Sequence, residues 1–215
     1  SKISLNKNAD ILDVGCGSGN LLHALKREGF KNLMGIDPFI DKSIKYSNGI
    51  EVNKSYLYDI KKKFDIILFN HSFEHEEQPC EILKKVKVLL KPKGVCVIRI
   101  PKIDSYAWKR YGKNWVQLDV PRHFDIFSNN SMKLLCKKAG FKISDIVYDS
   151  TDFQFWGSEQ YLRNIPLQSR ESFLYGLHGS IFNIFNILNY KLKAAFLNRK
   201  KAGDQAAFIL IPENL

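Results

Sequence analysis

Cysteine is scarce in this chain, and nothing pairs the few that are present. Cys16, Cys80, Cys96 and Cys136 are far apart, with no Cys-x-x-Cys and no paired His/Cys spacing. That argues against a zinc site and against a disulfide framework, and a reducing, cytoplasmic compartment is expected. No run of eighteen apolar residues is present, so no membrane-spanning helix is expected, and no signal peptide is recognisable. No carboxylate cluster stands at metal-binding spacing, and no metal is expected. Acidic residues are also in short supply: 22 Asp and Glu against 33 Lys and Arg leave a net charge of +11. Such an excess suits anionic partners. The lysines, however, are scattered as Lys61-Lys62-Lys63, Lys84-Lys85 and Lys137-Lys138, the pattern of solvated faces, so basicity selects no substrate.

What is present is one core's worth of apolar residues and an unusual loop. At 215 residues, 45% hydrophobic, the chain can bury one substantial core, and 1–215 reads as a single domain. Ile11 to Val14 reads as a buried strand, followed by glycines at Gly15, Gly17 and Gly19 and a helix opening at Asn20. A strand running through glycines into a helix lets backbone N–H groups approach a ligand with no Cβ in the way, beside the helix's positive end. No Gly-Lys-Ser/Thr follows, so this is no phosphate-binding loop. A dinucleotide fingerprint needs its third glycine three residues after the second, where Asn20 stands, which disfavours a dehydrogenase. Asp13, just before the glycines, would repel a pyrophosphate but not a cationic amino acid moiety. Asp37 ends the next apolar run, Leu33 to Ile36, where a ribose-binding carboxylate is expected.

Strands and helices alternate from there. Strands are expected at Phe64–Asn70, Val95–Ile100, Phe141–Ser150 and Asp204–Pro212, and helices at Gln78–Leu90 and Ser128–Ala139. A short helix is expected near Asp41–Tyr46, and Ile50–Asn53 is a poor strand. Short connections between such elements imply a mostly parallel sheet with ligands beyond the carboxyl ends of its strands. Residues 101–127 show no period but carry Tyr106, Trp108, Tyr111, Trp115, Phe124 and Phe127, as a substrate loop or lid would. Residues 151–203 read as an insertion with a helix over Ser180–Leu197. There Asn183, Asn186 and Asn189 make a narrow polar stripe and Asn198-Arg199-Lys200-Lys201 a basic end. A cap or homodimer helix is the first reading of 180–201, and peripheral contact with a membrane surface the second.

Asp-x-Gly-x-Gly-x-Gly with a later acid resembles the class I S-adenosylmethionine (SAM)-dependent methyltransferases, and the likeness runs from about Asn8 to Pro212. Phe64-Asp65-Ile66-Ile67, then His71-Ser72-Phe73-Glu74-His75 and Pro79, resembles the small-molecule branch that includes ubiquinone-biosynthesis O-methyltransferases. Asp119-Val120-Pro121-Arg122-His123-Phe124 is similar to a subgroup associated with sugar modification. The resemblance implies an α/β, Rossmann-like, doubly wound sheet of seven mostly parallel strands. Its last strand would be antiparallel, with a helical insertion before it. SAM would be the cofactor and S-adenosylhomocysteine the product. Gly15, Cys16, Gly17 and Gly19 would pass the methionine moiety and Asp13 would face its ammonium. Asp37 would hold the ribose, and Asp59 the adenine amino group, although the usual Gly-Asp pair is Tyr58-Asp59 here. Asn70 and His71 would flank the exit of the methyl group.

A hydroxyl acceptor would need a general base, for which His71, His75 and His123 are candidates. Tyr106, Trp115 and Arg122 are candidates for binding the acceptor. Methylation of a small-molecule or glycan hydroxyl is the first reading. A nucleic-acid or protein methyltransferase is the alternative, with nucleic acid disfavoured because Asn70-His71-Ser72-Phe73 lacks the base-amino motif Asn/Asp-Pro-Pro-aromatic. A non-catalytic SAM-binding module is the third.

Overall fold

A computed structural model describes residues 6–173 and 181–213, and the side chains of 181–185 lie outside that description. Ser180 and the Asn183 side chain, parts of the expected helix and its polar stripe, therefore fall outside the described residues.

The strands are β1 (Asp10–Val14), β2 (Asn32–Ile36), β3 (Ile44–Lys45), β4 (Glu51–Asn53), β5 (Phe64–Asn70), β6 (Leu90–Pro101), β7 (Phe141–Tyr148) and β8 (Gln205–Pro212). They form one eight-stranded sheet in the order β3-β4-β2-β1-β5-β6-β8-β7. β1 pairs in parallel with β2 and β5, β2 with β4, and β5 with β6. β7 and β8 run antiparallel, since Glu213 N–H bonds Gly140 O at the start of one while Gln205 bonds Asp149 O at its far end. The sheet has one strand more than the seven expected. The addition is β3, antiparallel to β4 across a turn in which Gly49 has φ +83° and Asn48 Oδ1 accepts from Ile50 N–H. Asn-Gly is a hairpin turn sequence, and it places a strand pair where a short helix was expected over Asp41–Tyr46. The hairpin is held by packing: Leu22, Ile50 and Val52 are buried together, with Ile40, Ile44 and Tyr46 against them.

The helices are α1 (Asn20–Arg27), α2 (Pro79–Leu89), α3 (Tyr106–Tyr111), α4 (Asn129–Lys138), α5 (Phe153–Leu162) and α6 (Ile181–Arg199). The chain divides into two compact units. The first contains residues 1–100, 130–146 and 207–215, hence most of the sheet. Its α2 turns Ile82, Leu83, Val86 and Leu89 inward at helical spacing. Phe64, Ile67, Phe69, Cys96 and Ile98 are buried in the central strands, as expected of parallel strands covered on both faces.

The second unit contains residues 101–129 and 147–206. Where no period was legible, it holds α3, whose first turn is capped by Ser105 Oγ accepting from Trp108 N–H at 3.1 Å. Ala107, Tyr111, Trp115, Phe155, Ala194 and Leu197 form its core. Asp204, fully buried, ties this core to the chain entering β8: its Oδ2 accepts from Trp115 Nε1 at 2.9 Å and from Gln117 Nε2 at 2.7 Å.

Candidate active site

The register of β2, β1, β5 and β6 brings four strand ends to one edge: Val14 lies beside Ile36 and Phe69, and Asn70 beside Arg99. The glycine loop leaves β1 at that edge and is stitched to β2. Gly15 and Cys16 N–H both bond Ile36 O, and Gly17 N–H donates to Asp37 Oδ2 at 2.9 Å. Asp37 Oδ1 accepts from Phe39 N–H at 2.8 Å. Each carboxylate oxygen has a second lone-pair site, so Asp37 is oriented by the fold and retains acceptor capacity.

The loop glycines Gly15, Gly17 and Gly19 do not share a single packing reason to be glycine. All have positive φ, but a Cβ on Gly15 would stand 2.5 Å from Ser72 Cβ, and Ser72 is itself pinned by its hydroxyl donating to Val14 O. A Cβ on Gly17 would meet nothing within 4 Å. The space above Gly17 is therefore open, and packing does not account for that glycine. Gly35 on β2 is close-packed, since a Cβ there would lie 2.5 Å from Cys16 Sγ and 2.7 Å from Leu22. The Cys16 thiol is pushed up to about 12 by burial and by Asp13 and Asp37, so it stays protonated and serves as a wall.

Asp13 is 2% exposed, and its Oδ1 has no hydrogen-bond partner among the described residues. Burial first, and then the charge of Asp37, raise its carboxyl to about 7. A buried carboxylate with an unmet oxygen beside an open glycine cradle fits a ligand that carries a cationic amine. SAM, which the sequence implied, is such a ligand, and the residues present fit it.

Beyond β5, Asn70 Oδ1 accepts from Arg99 Nη1 at 3.1 Å. His71 follows with φ +55°, a conformation uncommon for a residue with a side chain, and its Nδ1 lies 3.4 Å from Oε1 of the buried Glu74. Spacing had not identified Ser72, Glu74 or Arg99 as supports. His75 ends a 3-10 turn over Phe73–His75 and is exposed. Asp59 is exposed as well, and its Oδ2 accepts from Tyr56 N–H at 3.0 Å, so it caps its own turn.

The remaining candidates belong to the second unit. Tyr106 accepts a hydrogen bond from Lys193 Nζ at 3.1 Å, and Lys193 with Arg110 lowers the phenol's pKa. Arg122 is largely exposed and forks onto Asp119 Oδ1. The ring of His123 bonds Gln117 O through Nδ1 at 3.0 Å; a carbonyl only accepts, so that nitrogen carries the proton. Trp115 corrects the expectation that it binds acceptor: it is fully buried with its N–H spent on Asp204, so its ring offers no surface to a ligand. A cavity of about 970 Å³ opens at the other end of the sheet, among Lys63, Lys87, Lys93, Lys142 and Glu213. The glycine loop and the oriented carboxylates are not there, and the chemistry follows them.

Comparison with known proteins shows the family. Residues 1–146 match the model of a family described as a methyltransferase domain, more than half of the chain. The chain belongs to that family and is a class I SAM-dependent methyltransferase by fold and family. The ubiquinone biosynthesis O-methyltransferase of Rickettsia bellii (strain OSU 85-389) is 35% identical over 98 residues, covering 41% of this chain and 40% of that protein. The tRNA U34 carboxymethyltransferase of Pseudoalteromonas translucida (strain TAC 125) is 28% identical over 168 residues, covering 69% of this chain and 50% of that protein. This chain thus spans half or less of the length of these relatives. Among solved structures, a mycolic acid cyclopropane synthase complexed with SAH and CTAB superposes with a TM-score of 0.59 at 17% identity, over 96% of this chain and 79% of the other. A SAM-dependent methyltransferase from Archaeoglobus fulgidus gives 0.56 at 21% identity, over 96% and 86%. No helix among the described residues is long and apolar enough to cross a membrane.

Proposed function

We propose that this protein transfers a methyl group from SAM to a hydroxyl of a small molecule or saccharide. The observation that carries the cofactor half is the latch between Gly17 N–H and Asp37, with the open space above Gly17. In this reading Asp37 accepts from the ribose hydroxyls, Asp13 faces the ammonium, and Gly15 to Gly19 lie along the methionine moiety. Asp59 takes the adenine amino group when the cofactor competes with the Tyr56 cap. The sulfonium, when bound, supplies an already activated methyl group, so the chain's task is alignment, exclusion of water and removal of a proton.

His71 is the base this reading prefers. It follows Asn70 at the strand end, and Glu74 faces its Nδ1, an arrangement that orients the ring and leaves Nε2 to receive a proton. His75 and His123 remain the other candidates for the base, and Tyr106 and Arg122 those for holding the acceptor. The ubiquinone O-methyltransferase relatives support oxygen as the methylated atom.

A tRNA acceptor is the second reading, favoured by the tRNA U34 carboxymethyltransferase relatives and the net charge of +11. Calorimetric titration with SAM and S-adenosylhomocysteine, against NAD, tests the cofactor half. Micromolar binding of both sulfur ligands, lost in Asp37→Ala, is expected; binding of NAD instead would sink the reading. Transfer of labelled methyl to phenols and saccharides, run beside bulk tRNA, separates the two acceptors.

A further inference from the structure

The outer face of α6 has a composition that neither cofactor binding nor its own packing explains. Its inner face is accounted for: Ala194 and Leu197 are buried in the second unit's core, Tyr190 stacks on Phe155, and Lys193 reaches Tyr106. Beside the exposed Asn186 and Asn189, the outward residues form two adjacent rows at four-residue spacing. One row is Leu188, Leu192 and Phe196, which are 56%, 65% and 56% exposed and thus leave large apolar side chains in water. It continues into Lys200, whose ammonium lies 5.8 Å from the centre of the Phe196 ring. The neighbouring row is Lys191, Ala195 and Arg199, all exposed. From Ile181 to Lys201 there is no Asp or Glu, while Lys191, Lys193, Arg199, Lys200 and Lys201 are all cationic.

We infer that this face lies on an anionic lipid surface. Three apolar side chains in a row, flanked by cations of one sign and ending in a basic turn, match what an interfacial helix presents to headgroups and acyl chains. Charge decides between occupants. A second copy docking through the same face would bring the two sets of cations Lys191, Arg199 and Lys200 together, a like-charge contact that no acid of 181–201 relieves. An anionic bilayer answers both features at once: its acyl boundary takes Leu188, Leu192 and Phe196, and its headgroups take the cations. The helix does not span, so the association is peripheral and reversible. The inference does not depend on which acceptor is methylated.

Co-sedimentation of the full chain with vesicles tests it, comparing phosphatidylcholine alone with phosphatidylcholine containing phosphatidylglycerol. Binding to the anionic vesicles only, weakening with salt, is expected. The variant Leu192→Glu/Phe196→Glu should lose it, and Lys191→Gln/Arg199→Gln should weaken it about fivefold per charge removed. All four positions are exposed, so unchanged circular dichroism and unchanged SAM titration should show that the variants fold. Absence of vesicle binding by the unaltered chain overturns the inference, and so does equal binding to both vesicle types. Sedimentation velocity covers the rival occupant: a dimer that Leu192→Glu/Phe196→Glu dissociates would assign the face to a second copy.

Discussion

Neither Asp13 nor Gly17 is explained by the stability of the free protein, and each yields a prediction. Asp13 is a buried acid whose carboxyl titrates near 7 rather than at its ordinary 3.8. An acid with a raised folded pKa weakens the fold as pH climbs, because the unfolded chain ionises first. The loss begins near pH 4 and is complete above pH 7, on the order of 4 kcal/mol for a shift of this size. A cationic ligand reverses the balance by favouring the ionised form. SAM affinity should therefore fall below pH 7, by up to about tenfold per pH unit, and be nearly flat between pH 5.5 and 7.5 in Asp13→Asn. Calorimetry in buffers of different ionisation enthalpy would register the released proton. Gly17 contributes nothing to packing, so Gly17→Ala should cost only the strain of a left-handed alanine, about 1 kcal/mol. It should nonetheless weaken SAM at least tenfold, whereas Gly15→Ala, driven against Ser72, should destabilise the fold itself. Denaturant unfolding and ligand titration on both variants separate the two effects.

Among the elements, the strand–glycine–helix unit was legible in the sequence because its signals are local. The run Ile11–Val14, the loop glycines and Asp37 lie within a few turns of chain, and β5 and α2 announce themselves by apolar runs and spacing. β3 was not legible as a strand and β4 only weakly, as the poor strand Ile50–Asn53, because they are two and three residues long. The Asn48-Gly49 turn was the signal available. α3 was missed because Tyr106, Ala107, Trp108 and Tyr111 read equally as a ligand loop or a core helix, and only the Ser105 cap hints at the second. Trp115 shows the same ambiguity: its partner Asp204 is 89 residues away, and no local pattern joins them. That pairing carries the element-scale prediction. Asp204→Leu leaves the Trp115 and Gln117 donors buried and unmet and should cost about 2–4 kcal/mol in urea unfolding. Asp204→Asn keeps an oxygen to accept from them and should cost less, the more so because burial already raises the Asp204 carboxyl's pKa.

For the whole molecule, the family match and the folded object have different limits. The matched region ends at residue 146, yet β8 begins at Gln205 and lies between β6 and β7. A fragment of residues 1–146 should therefore leave β6 and β7 with open edges and fail to give a cooperative unfolding transition. Calorimetry and size-exclusion chromatography on that fragment check the point; a monomer with a sharp transition would show that the sheet closes without β8.

The position of β8 also has a consequence for synthesis. A ribosome releases seven strands before the one that sits between two of them, so most of the sheet emerges while its gap stays open. Phe208 and Leu210, both fully buried in the finished fold, arrive after both of the strands they lie between. Until they do, the apolar flanks of the gap between β6 and β7 stay uncovered, the kind of open edge that invites aggregation or capture by chaperones.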